Sequence, residues 1–109
     1  MVSFEEFKKI EIKVGKILSA EKIPDTDKLL KLMVDLGEEK PRQIISGISL
    51  YFPDCSVLIG KKCIFVSNLE SRVICGFESQ GMILALSTED GVFSLIFPGT
   101  DVPVGTLAK

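Results

Sequence analysis

The residues best suited to chemistry lie between Asn68 and Met82, where Asn68, Ser71, Arg72, Ser79 and Gln80 are set among Gly76 and Gly81. Amide and hydroxyl groups supply short hydrogen bonds, the Arg72 guanidinium supplies a charged fork that matches phosphate, and glycine permits close backbone approach. Covalent chemistry has far less to work with. Histidine is absent, which removes Ser-His-Asp and Cys-His catalysis, imidazole proton shuttling and His-ligated zinc. Cys55, Cys63 and Cys75 lack the C-x-x-C spacing of a zinc knuckle or redox pair and read as small buried hydrophobes in a reducing compartment. The carboxylate pairs Asp25/Asp27 and Glu38/Glu39 fall in turns, where they are solvated. No glycine-rich loop precedes a helix to cradle a phosphate. The expectation is a binding protein with no catalytic residue, no metal and no cofactor.

Composition narrows the class. A chain of 109 residues, 46% hydrophobic and 26% charged, makes one folded domain over residues 1–109. The longest apolar run, Met82–Leu86, is far too short to cross a bilayer, and no apolar block follows a basic start. A cytoplasmic protein without a membrane partner is expected. The formal charge of −2 excludes a nonspecific polybasic binder of nucleic acid. An initiating Met followed at once by patterned sequence suits a short independent chain.

Several elements must position the polar segment. Ser3 and Glu6 form a capping box that opens a short helix, with Phe4, Phe7 and Ile10 on the face expected to cover one end of the fold. Alternation from Ile10 onward predicts a long first strand reaching about Ile23, bent or bulged at Gly15. Turn chemistry at Pro24–Asp27 leads to a second strand, Leu30–Leu36, and a third follows from Arg42 to Ile48, with a bend at Gly47. Ser49–Ile59, broken by Pro53 and capped by Asp54, reads as one or two helical turns plugging a barrel end. Lys61–Leu69 is a fourth strand. Met82–Ser87 and Val92–Phe97 form a hairpin about Asp90–Gly91. Phe65, Phe93 and Phe97 are expected in the core, leaving Tyr51, Phe52 and Phe77 as the rings available for stacking. An all-β OB-fold follows, a five-stranded barrel with a short helical plug between strands 3 and 4. A sandwich would need about seven strands.

The segment from Asn68 to Met82 resembles the pattern Asn-Leu-x-Pro-Arg-Lys-x-x-Gly-x-x-Ser-x-Gly-Met of the tRNA-binding domain family. Lys13–Ile17, Asp27–Leu30, Val34–Gly37, Arg42–Ile48 and Asp101–Gly105 agree with that family in order and spacing, so the likeness covers the chain from Phe4 onward. It implies an OB-fold barrel over about residues 4–97, with residues 98–109 as a C-terminal dimerisation extension. It also implies shape-directed binding of tRNA at its outer corner, by a free-standing protein or one acting in trans as a methionyl-tRNA synthetase beta subunit. The implied partners are tRNA, a second copy of the chain and a methionyl-tRNA synthetase. Positions matching polar sites of the motifs are Lys28, Arg42, Ser46, Asn68, Arg72, Ser79, Gln80 and Met82. The chain departs from the pattern at Ser71 for proline, Val73 for lysine and Glu70 at a position often basic or neutral. Arg72 is then the only cation of its loop, which predicts weaker binding with a flatter salt dependence. The alternative is a dimerisation or scaffolding module whose RNA contacts are weakened or lost. A chaperone-like peptide binder of similar fold would need an exposed apolar groove.

Overall fold

Alternation decides which residues face inward. In the computed structural model, which describes every residue from Met1 to Lys109, strand β2 (Leu30–Asp35) buries Leu30, Leu32 and Val34 and leaves Lys31, Met33 and Asp35 partly exposed. Its neighbours are β1 (Ile12–Lys22) and β3 (Arg42–Ser46), and β4 (Lys62–Val66) pairs with the other edge of β1. With β7 (Met82–Ile83) these strands form one antiparallel sheet in the order β3-β2-β1-β4-β7. The sheet curls into a nearly closed barrel, because residues Glu78–Gln80 bring the end strands β3 and β7 together. Phe65, Ile17, Leu32, Ile44 and Leu58 fill it.

The long first strand is present, but its irregularity lies elsewhere than expected. The register with β2 slips between Ile17 and Ser19, so the bulge falls at Leu18 rather than Gly15. Gly15 serves packing instead: a Cβ there would stand 2.7 Å from Leu36 Cδ2 and 2.7 Å from Phe65 Cδ1. A glycine in a strand marks close approach as readily as a bend.

Between β3 and β4 the chain makes two 3-10 turns, Ser49–Tyr51 and Cys55–Leu58. Asp54 caps the second by accepting from the Ser56 N–H at 3.1 Å and its hydroxyl at 2.6 Å, and Leu58 enters the core. The expected strand Met82–Ser87 divides at Leu84. Its first part joins β4, and its second, β8 (Ala85–Ser87), pairs with β9 (Phe93–Leu95) across the Asp90–Gly91 turn. Within the polar segment, β5 (Arg72–Ile74) and β6 (Phe77–Ser79) form a hairpin where only a long loop was expected. Its turn residues Cys75 and Gly76 have φ of 49° and 83°, the two successive positive angles of a type I′ turn. Cys75 takes the place usually held by Asn or Asp, which hid the turn.

Three further expectations are corrected. The short helix α1 (Phe4–Phe7) has the capping box but buries nothing, and Phe4 is 69% exposed. Phe97 lies outside the core, half exposed. Of the cysteines only Cys63 is buried, where desolvation pushes its thiol up to about 11; Cys55 is half-buried and Cys75 exposed. The tail runs along the first half of β1. Val14 N–H donates to Thr106 at 2.9 Å, Gly105 N–H to Val14 at 2.8 Å and Ala108 N–H to Ile12 at 2.8 Å. These bonds occupy the edge of β1 that β2 leaves open.

Candidate nucleic-acid interface

The seam between β3 and β7 is held by side chains rather than by a continuous ladder. Gln80 donates its N–H to the Gln43 carbonyl at 2.8 Å, and its Oε1 accepts the Gln43 N–H at 3.0 Å. Ser79 Oγ accepts the Ile45 N–H at 3.0 Å and donates to the Gly81 carbonyl at 3.1 Å. Ser79 is buried and Gln80 half-buried. Both therefore satisfy backbone groups that a closed barrel would otherwise pair within its ladder.

Arg42 completes the closure. Its Nε and Nη2 each donate to Glu38 at 2.7 Å, and Nη1 donates to the carbonyls of Ser67 and, at 3.1 Å, Gln80. Four of the five guanidinium hydrogens are thus used inside the molecule. In register, Arg42 faces Val34, whose side chain is inward. Of the two arginines at motif positions, Arg72 alone keeps a guanidinium without a carboxylate partner. Asn68 is also occupied: its Oδ1 accepts the Glu11 N–H at 2.7 Å and its Nδ2 donates to the Lys9 carbonyl at 2.6 Å. It straps the segment before β1 to the end of β4.

Glu11 and Glu38 belong to the same charged cluster. Lys13 Nζ is 3.1 Å from Glu11 and 3.9 Å from Glu38, and the Ser67 hydroxyl donates to Glu11 at 2.6 Å. The Ser67 hydrogen bond, then Lys13, hold the Glu11 carboxyl below its ordinary value; the Arg42 hydrogen bond does the same for Glu38. A carboxylate whose folded pKa is depressed favours folding above its unfolded pKa, and that stability is lost as pH falls through the folded value. Thermal stability is expected to be flat near neutrality and to fall below about pH 4.5, near the unfolded glutamate value. In a Glu11→Gln/Glu38→Gln variant melted across the acid range, the drop should be shallower. An identical acid profile would remove these groups from the linkage.

Arg72 is differently placed. It is exposed, has no carboxylate within ion-pairing distance, and stands on the β5–β6 hairpin opposite Ser79. It lines an open cleft of about 450 Å³ at the seam with Ile45, Leu69, Glu70, Ser79 and Met82. The structure therefore brings Arg72, Ser79 and Met82 to one cleft, with Gln80 and Arg42 behind it. Lys28 and Ser46 lie apart. Lys28 is exposed just before β2, and Ser46 pairs with Leu30 on the inward side of β3.

One cation was missed. Lys31 is opposite Ile45 in the ladder, so both project from the outer face, and its Nζ lies 5.5 Å from the centre of the Phe77 ring on the hairpin. Its 3.8 Å contact with exposed Glu21 is a weak surface pair. Lys31 lies between buried Leu30 and Leu32, so alternation alone marks it as outward-facing. Which outward residues share a surface with Arg72 depends on where the hairpin docks.

Residues 12–107 match the family described as "Putative tRNA binding domain". A methionine–tRNA ligase of Methanospirillum hungatei is 50% identical over 105 residues, covering 96% of this chain and 15% of the ligase. Other ligase relatives are matched over a similarly small part, 15–16% of their length. Among solved structures, a MetRS related protein from Pyrococcus horikoshii superposes with a TM-score of 0.91 at 44% identity, covering 100% of this chain and 98% of that one. The chaperone CsaA of Bacillus anthracis superposes at 0.87 with 28% identity, covering 100% and 99%. With the family pattern matched across all the strands of the barrel and its unpaired arginine at the seam, this chain belongs to the tRNA-binding domain family.

Proposed function

We propose that the chain is a non-catalytic, dimeric tRNA-binding module of OB-fold type, working in trans beside a methionyl-tRNA synthetase. The observation that carries this reading is Arg72, an unpaired guanidinium over an open cleft whose walls are held by Ser79, Gln80 and Arg42. Arg72 and Lys31 take the phosphates. Ser79, Gln80, Arg42 and Asn68 position the cleft without touching RNA, and Met82 forms its apolar wall. Few rings reach this surface, which favours backbone and shape readout over base reading. The relatives that carry the domain inside a ligase support a tethering role, in which the module raises the local tRNA concentration for a catalytic partner. The two 3-10 turns, with Leu58 in the core, act as the plug of the barrel. Three free thiols suit the reducing cytoplasm.

Bulk tRNA is expected to be retained by the protein in a low-salt mobility shift and released as salt rises, since phosphate contacts release counterions. No retention at the lowest salt would leave the scaffolding alternative in its place.

The dimer is supported by a groove of about 370 Å³ lined by Phe4, Phe7, Ile10 and Leu107, where the uncovered helix meets the tail. Exposed apolar side chains grouped this way suit a self-complementary contact. Sedimentation is expected to give twice the mass of one chain and, for Phe4→Glu/Leu107→Glu, a single-chain mass. A wild-type protein that sediments as one chain would remove the dimer.

A further inference from the structure

On the far side of the barrel, the exposed rings of Tyr51 and Phe97 adjoin two lysines, Lys16 and Lys61, that form no direct ion pair. Phe97 is 50% exposed, and Lys61 Nζ lies 5.4 Å from its ring centre. Phe97 borders two clefts. In one, of about 410 Å³, Tyr51 stacks on Phe93 with centres 4.0 Å apart and planes 6° from parallel, and Phe52 meets Phe93 edge-on at 5.9 Å. Tyr51 is 46% exposed. Since Phe93 covers one of its faces, that exposure falls on the other face and the edge. The second cleft, of about 500 Å³, is lined by Lys16, Lys62 and Asp101. Lys62 is paired with Asp101 at 2.7 Å, whereas Lys16 and Lys61 have no carboxylate within ion-pairing distance.

This surface is separate from the cleft at Arg72. Strand β1 is the middle strand of the sheet order, and the barrel closes between β3 and β7. Lys16, on β1, therefore lies across the barrel from the seam.

We infer that this face binds unpaired RNA nucleotides, stacking bases on Tyr51 and Phe97 and placing phosphates against Lys16 and Lys61. Aromatic platforms flanked by cations are how sequence-tolerant single-strand sites are built, because every base offers a π-face and every linkage a charge. Duplex RNA keeps its base faces stacked within the helix and has none to offer. Glu89 and Asp90, next to Gly91 on the rim of the Tyr51 cleft, repel phosphate and direct the strand toward the lysines.

The test is fluorescence anisotropy of a short labelled oligo(U) with the full chain at low salt. Tyr51→Ala and Phe97→Ala are each expected to weaken binding by about five- to a hundredfold, the loss of one stacked base. Lys61→Glu should weaken it and flatten its salt dependence while leaving the melting temperature unchanged. Tyr51→Phe should bind as the wild type does, and Arg72→Ala should lower oligo(U) affinity less than Tyr51→Ala does, because Arg72 is on the other side. The inference is overturned if the wild type fails to bind oligo(U), or if Tyr51→Ala and Lys61→Glu bind it unchanged. It is equally overturned if Lys61→Glu alters the sedimenting mass, which would make this face a contact between copies. Loss of oligo(U) binding in Arg72→Ala would move the site to the seam. Retention of tRNA through Arg72 is measured separately, so either reading can fail alone.

Discussion

Replacing Arg42 with alanine is expected to lower folding stability by about 2–3 kcal/mol, the magnitude for losing charge-assisted hydrogen bonds and leaving buried acceptors unmet. The carbonyls of Ser67 and Gln80 both accept from Nη1, and Ser67 is buried. The pair with Glu38 contributes less, because Glu38 is one-third exposed and solvent screens it. For a domain of this size the melting temperature should fall by about 9–13 °C. Lysine should not rescue it, since one ammonium lacks the fork that reaches Glu38 and both carbonyls together. Below the melting transition, tRNA affinity per folded molecule should fall less than it does for Arg72→Ala, because Arg42 holds the cleft without touching RNA. A thermal melt followed by a mobility shift separates the outcomes: an unchanged melt with lost tRNA binding would make Arg42 a phosphate ligand and refute its place in the seam.

Arg72→Ala should behave in the opposite way. The residue is exposed and unpaired, so the melt should move little, as for most surface substitutions. Affinity for bulk tRNA should fall by about tenfold, roughly one charge-assisted contact with phosphate, and the slope of log K against log salt should shrink by about one. Glu70→Lys, which reverses a charge lining the same cleft, should raise affinity and steepen that slope. Titrations at several salt concentrations read both quantities. An unchanged affinity for Arg72→Ala, with folding intact, would take Arg72 out of the site and with it the phosphate reading of the cleft.

Much of the barrel was legible because short-range patterns encode it. Strict alternation at Leu30, Leu32 and Val34, the capping box at Ser3 and the Asp90–Gly91 turn each require only neighbours a few residues away. The hairpin at Arg72 was hidden for an equally local reason. Its turn is Cys75–Gly76, and only the fold reveals that Cys75 carries a positive φ. Gly15 was noticed for a bulge or bend, and its packing role was not visible: a glycine that bends a strand and one that admits a neighbouring ring look alike in one dimension, and the contact with Phe65 is 50 residues distant in the chain.

The site residues divide along the same line. Polar residues at motif positions were picked out together, yet a motif does not distinguish a group that touches a ligand from one that supports the group that does. Arg42 reaches a carbonyl 25 residues away and another 38 away, and Gln80 bonds to a residue 37 away. These pairings exist only once the end strands of the sheet have met. Sequence alone determined that this is a non-histidine, all-β binding protein with the tRNA-binding pattern running through it, because residue chemistry and period-two alternation are local properties. Tertiary structure decided that Arg42 closes the barrel, Arg72 stays open and Lys31 joins it, because a side chain's partners are set by long-range closure of the chain.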